Sequence, residues 1–150
     1  MSSEEEKLRE ELARAIEELQ VLQAQYEVLK NSLDALISLL NETRIVREEL
    51  GKIEEIKEEN EVLIPLGSRV LIHAKVMEKP TILYALGSGI LASLPLDEVR
   101  KKLSEEEKRI SEDIAKLQKD LAELIRRITI TQELARKTQE KLVKAAQSKK

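Results

Sequence analysis

The sequence predicts an α+β chain in which a long antiparallel two-helix coiled coil brackets a central double β-hairpin. Three observations carry this. Leucine-rich heptad spacing runs on both sides of residues 62–94, while that middle stretch is rich in Val, Ile and Leu in short runs broken by Pro and Gly. Aromatic residues make up 1% of the chain and charged residues 37%, against 41% apolar residues, the composition of long helices and not of a large globular core.

The first helix is expected over residues 1–61. Its seam is Leu8, Leu12, Ala15, Leu19, Leu22, Tyr26, Leu29, Leu33, Leu36, Leu40, Thr43, Arg47 and Leu50, with steps of four and three alternating throughout. Near Gly51 the phase drifts toward Val46, Leu50 and Ile53, and the helix runs out through the charged stretch from Glu54 to Glu61.

Residues 62–94 read as four short strands in two hairpins: Val62 to Leu66, Arg69 to Val76, Thr81 to Leu86 and Ile90 to Leu94. The breaks are Pro65-Leu66-Gly67-Ser68, Met77-Glu78-Lys79-Pro80 and Gly87-Ser88-Gly89. A four-stranded sheet of this size has unpaired edges and an apolar face that the rest of the chain is not expected to cover, so it calls for copies of itself or of a relative. The assembly residues expected are Leu63, Ile64, Leu66, Val70, Ile72, Ala74, Val76, Ile82, Tyr84, Leu86 and Ile90. Among them Val70, Ile72, Ala74 and Val76 alternate onto one side of a strand.

The second helix is expected over residues 95–150, started by Pro95 with Asp97 and Glu98 in its first turn. Its seam is Leu103, Glu107, Ile110, Ile114, Leu117, Leu121, Leu124, Ile128, Thr131, Ala135, Thr138, Leu142 and Ala145. The Ser104-Glu105-Glu106-Glu107 run has capping-box spacing but reads as helix surface. Each helix has about 50 residues, roughly 75 Å at the usual rise. Closing back on each other through the insert costs less than a bimolecular encounter, which favours an intramolecular pair. Arg47 and Glu107, the charged seam residues, then fall within one layer of each other and are expected to pair.

Toward the chain ends the second seam softens to Thr131, Ala135, Thr138 and Ala145, opposite Leu8, Leu12, Ile16 and Leu19. An underfilled end is expected to fray and expose apolar side chains. Leu8, Leu12, Ala15, Ile16, Leu19, Ala135, Thr138, Leu142 and Ala145 are therefore the candidate binding residues. Glu4 to Glu6, beside Lys137, Lys141, Lys144, Lys149 and Lys150, read as compensating charge at the helix ends.

Other function classes find little support. The single histidine, His73, sits in a strand without a Cys, Asp or Glu cluster around it. Gly87-Ser88-Gly89 lacks the Lys and Ser/Thr of a phosphate loop, and no carboxylate pair lies in an apolar setting. No catalytic residue, metal site or cofactor is expected. A net charge of -3 with interspersed signs gives no nucleic-acid footprint, and no apolar run has membrane length. The absence of cysteine and of a signal-peptide pattern suits the cytoplasm.

The double hairpin containing Ile64-Pro65-Leu66-Gly67 and Leu86-Gly87-Ser88-Gly89-Ile90, the arm beginning Leu96-Asp97-Glu98-Val99, and Gln23, Gln25 and Tyr26 in the first arm together resemble the alpha-class subunit of prefoldin. The resemblance covers nearly the whole chain. It implies a chaperone hexamer of two alpha-class and four beta-class subunits, with the hairpins forming a double β-barrel and the coiled coils hanging from it. The distal tips would capture unfolded client proteins without ATP and pass them to a group II chaperonin. Assembly with itself, as in paralogues of this architecture, is the alternative to beta-class partners. The rival reading from the residues is a structural coiled-coil protein whose hairpins build a filament or whose arms act as spacers.

Overall fold

The structure of the protein is a computed structural model that describes residues 2–57, 59–76 and 81–149. Helix α1 spans Ser3–Ile53, strands β1 to β4 span Glu61–Pro65, Leu71–Lys75, Ile82–Gly87 and Ile90–Leu94, and helix α2 spans Leu96–Gln147. The turn expected over residues 77–80 lies outside the described residues. The chain divides into two compact units, Met1–Ile37 with Glu112–Lys150, and Ser38–Ser111.

In the unit Ser38–Ser111 the strands form two separate two-stranded antiparallel sheets, β1 with β2 and β3 with β4, not the four-stranded sheet expected. Val62 faces Ala74 and Ile64 faces Ile72 in the first. In the second, Ile82 faces Leu94 and Tyr84 faces Ala92. The β3–β4 turn is set by Ser88 and Gly89, both with positive φ, at 52° and 77°, the mirror-image turn whose twist suits a two-residue hairpin loop. Leu86 is left over between the pairs Ala85↔Leu91 and Gly87↔Ile90 as a bulge.

The second hairpin is covered on one face by the helix ends. Leu50, Val99 and Leu103 are buried together, and Ile53, Ile82, Tyr84, Leu94 and Leu96 pack against them. This corrects the expectation that nothing in the chain covers the strands: the residues facing inward on β3 and β4 already have a partner. Each fully buried aliphatic side chain here contributes about 1.5 to 3 kcal/mol.

Helix α1 stops at Ile53 and not at Glu61. Glu54, Glu55 and Glu59 put negative charge at the carbonyl end of a helix, where it is unfavourable. The Lys57 N–H instead donates to Asn60 Oδ1 at 2.7 Å, Glu59 takes a left-handed φ of 70°, and the Val76 N–H donates to the Asn60 carbonyl at 3.0 Å. Ladder pairing has begun by then. Helix α2 opens one residue later than expected, with the Pro95 carbonyl accepting the N–H groups of Glu98 and Val99 at 3.1 Å. The seam does not shift to Val46, which is exposed while Thr43 and Leu50 are buried.

Arg47 and Glu107 form the pair expected, 3.0 Å apart, and Arg44 approaches the other carboxylate oxygen to 3.7 Å. Glu107 keeps 11% of its side-chain exposure and Arg47 44%. Near the hairpins Arg100 reaches Glu54 at 2.9 Å by passing over Gly51, where an added Cβ would lie 3.3 Å from the guanidinium.

In the unit Met1–Ile37 with Glu112–Lys150 the helices run antiparallel, since Glu5 meets Lys149 and Glu18 meets Arg127. Ala15, Leu22, Leu121, Leu124, Thr131 and Thr138 are buried between them. Both helices remain regular to Ser3 and Gln147, so the fraying expected of a soft seam is not what this structure has. Thr131 donates its hydroxyl to the Arg127 carbonyl at 2.9 Å, which satisfies the polar atom locally and frees the methyl to pack.

A double-mutant cycle on Arg47→Met and Glu107→Leu, followed by thermal unfolding, should give a favourable coupling of about 0.5 to 1 kcal/mol. Arg47→Met should cost more than Glu107→Leu, because it leaves a buried carboxylate short of its nearer cation whereas the other change puts a leucine in the seam. A coupling of zero, or the reverse order, would refute the role given to the pair.

Candidate functional site

Two surfaces stand out, one in each unit. On the first hairpin a period of two puts Val62, Ile64, Leu66, Val70, Ile72 and Ala74 on one side, with the Leu66 N–H donating to the Val70 carbonyl at 2.8 Å to extend the register. Ile64, Leu66, Val70 and Ile72 are 45%, 66%, 57% and 49% exposed. Such values belong to surface residues, yet four neighbouring aliphatic side chains on one strand face form an apolar patch. Leu63 and Leu71 are exposed on the opposite side, with His73 facing Leu63.

The other assembly candidates divide. Leu86 and Ile90 are exposed, Ala74 and Val76 are half-buried, and Ile82 and Tyr84 are packed on the helix ends. Leu83 and Leu91, not singled out from the sequence, are exposed on the outward side of the second hairpin. Alternation from the covered Ile82 and Tyr84 was the signal that could have found Leu83.

In the unit holding the chain ends, the seam residues offered as binding candidates are mostly turned inward. Ala15 and Thr138 are buried, and Leu8, Leu12, Leu19, Ala135, Leu142 and Ala145 are half-buried. Ile16, at 46%, is exposed. The other exposed large apolar residues of this unit are Val21, Val28, Ile37, Ile125, Ile130, Leu134 and Val143. They lie off the seam, so a search for heptad positions passes over them. Val21 and Val28 line a shallow apolar depression with Ala24, Gln25 and Leu29.

Ser2 caps this end of α1, its hydroxyl accepting the Glu5 N–H at 3.3 Å and its carbonyl the Glu6 N–H at 3.2 Å. The Glu5 carboxylate, largely buried, accepts from Lys149 Nζ at 2.9 Å. That hydrogen bond holds the Glu5 carboxyl below its ordinary pKa, with burial working the other way. The acidic and basic ends thus serve each other. Lys150 lies outside the described residues.

Among the described residues no group of three or more His, Cys, Asp or Glu side chains could hold a metal ion, and no helix is long and apolar enough to cross a membrane.

The family model for the prefoldin subunit matches residues 3–141. Similar relatives are prefoldin subunit alpha of Pyrococcus horikoshii, 36% identical over 63% of this chain and 68% of that protein, and of Thermococcus onnurineus, 32% identical over 59% and 61%. That of Methanopyrus kandleri is 29% identical over 67% and 64%. The chain thus spans a little under two thirds of the Thermococcus and Methanopyrus proteins and just over two thirds of the Pyrococcus one. Among solved structures, filamentous PFD from Methanocaldococcus jannaschii, seen by cryo-EM, aligns with a TM-score of 0.66 and 26% identity, covering 75% of this chain and 93% of that one.

Since the Glu5 pKa is depressed in the folded state, its contact with Lys149 contributes stability above the unfolded-state pKa and loses it as pH falls through the folded value. Carboxyl NMR should place the Glu5 midpoint below that of an unfolded reference. Amide exchange near Leu8 should accelerate through that midpoint, and Glu5→Gln should abolish the pH step. A midpoint at or above the reference refutes the pairing.

Proposed function

The chain belongs to the prefoldin family, and on that premise we propose that it is a subunit of an ATP-independent chaperone that holds unfolded polypeptides and hands them to a group II chaperonin. The observation that carries this is the uncovered aliphatic face of the first hairpin, Ile64, Leu66, Val70 and Ile72. A hairpin that exposes such a face is stable only when another subunit lies on it. The hairpins are the means of assembly, closing strand edges into the β-barrel of a hexamer of two alpha-class and four beta-class subunits. Clients are captured by the exposed apolar side chains of the unit that holds the chain ends, with no nucleotide and no chemical step. The cytoplasm is the compartment this activity needs.

A second reading has one observation in its favour. The cryo-EM relative is filamentous, and a chain bearing two unlike hairpins can join head to tail with copies of itself, which gives a ring if the rotation closes and an open polymer if it does not. In that case the chain assembles alone. Suppression of the aggregation of a denatured client, measured with and without a beta-class subunit alongside particle mass, separates the two: the hexamer reading requires the beta-class chain for a defined small particle, the filament reading does not.

Two substitutions test the parts. Ile72→Asp places a charge on the assembly face and should dissociate the particle, since an unpaired buried carboxylate costs several kcal/mol, of order 3 or more; a sedimentation profile unchanged from wild type removes that face from the assembly. Ile16→Ser with Ile125→Ser and Leu134→Ser should weaken client protection while shifting stability by about 0.5 kcal/mol per site or less. Full protection by the triple variant places capture outside the unit that holds the chain ends.

A further inference from the structure

Glu18 and Arg127 approach to 3.8 Å across one flank of the helix pair. Each directly precedes a half-buried seam residue, Leu19 and Ile128. Residues that directly follow a seam position therefore lie on the other flank of both helices. There Ile16 and Gln23 follow the buried Ala15 and Leu22, and Ile125, Gln132 and Gln139 follow the buried Leu124, Thr131 and Thr138. Gln20, one turn beyond Ile16, joins them. All six are exposed, and none is charged, in a chain whose residues are 37% charged.

Two neighbours of this flank are also kept electrically quiet. Thr129 donates its hydroxyl to the Ile125 carbonyl at 2.9 Å. Arg136 is held between Glu133 and Glu140 of its own helix. Charge stands at the flank's margins, with Arg9 and Lys30 following Leu8 and Leu29 and Glu27 one turn beyond Gln23, so an apolar ligand seated between Ile16 and Gln23 keeps its desolvation cost low.

We propose that this flank, through Ile16, Gln20, Gln23, Ile125, Gln132 and Gln139, grips an extended polypeptide by its backbone amides as well as its apolar side chains. A glutamine side chain offers one carbonyl and one NH2, the same donor and acceptor groups as a peptide unit. An unfolded chain has such groups unpaired along its whole length. Contacts of this kind read no side-chain identity, so they suit a ligand of arbitrary sequence, while the isoleucines supply area. The inference rests on the reading of the chain as a client-holding chaperone and specifies the chemistry of the hold.

The assembled protein is titrated with a fluorescent, unstructured apolar peptide and with its backbone N-methylated counterpart, at low and high salt. The wild type should bind the N-methylated peptide at least about fivefold more weakly, with salt changing neither affinity by more than about twofold. In the combined variant Gln20→Met, Gln23→Met, Gln132→Met and Gln139→Met the difference between the peptides should shrink to within about twofold. Equal binding of both peptides by the wild type, or undiminished discrimination by the variant, overturns the amide grip and leaves apolar capture standing. A change in particle mass in the variant overturns it too, by making the flank a contact between chains. If the wild type binds neither peptide, the chaperone reading falls with it.

Discussion

Because aromatic residues make up 1% of the chain, its apolar burial has to come from aliphatic side chains meeting in register along the helix seam. A two-helix pair gives each layer few neighbours, so many seam leucines are half-buried and not fully enclosed. What the seam lacks in enclosure it recovers by length, and the small residues in α2 are part of that arrangement. Buried Thr131 and Thr138 fill less volume than leucine, and Thr131, by returning its hydroxyl to its own helix, leaves no orphaned polar atom there.

The buried acids are then the places where the pairing is specified. Glu107 at a seam position, flanked by Arg44 and Arg47, fits one register, and a slip of a heptad would strand it among leucines. Its Oε1 atom is buried without a hydrogen bond, so the arrangement gives up some stability. That is the pattern expected of a polar seam residue whose value is register. Glu5 with Lys149 does the same for the other unit.

Much of this was legible in advance. Every expected seam position is buried or half-buried except Arg47, because a 3.5-residue repeat translates directly into a face. The four strands were also found within one or two residues, since Pro65, Gly87 and Gly89 punctuate them. Other features depend on tertiary geometry that periodicity does not carry. Whether four strands form one sheet or two is decided by pairing between hairpins, and Ile82 and Tyr84 read as assembly residues until the Leu50, Val99 and Leu103 cluster is seen to cover them. The helix end at Ile53 was missed because helix propensity through residues 54–59 is high, and what stops the helix is a carbonyl-end charge clash and the pull of the Asn60–Val76 pairing. For binding, softness of the seam singles out side chains that the structure turns mostly inward, while the exposed apolar side chains flank the seam.

The two tyrosines are distributed so that each belongs to a different unit. Tyr84 packs against the cluster at the helix ends beside the second hairpin, while Tyr26 sits half-buried in the seam of the unit Met1–Ile37 with Glu112–Lys150. With no tryptophan in the chain to dominate the emission, the protein carries two native optical reporters, and a single-tyrosine variant of either kind would record the melting of one unit without interference from the other.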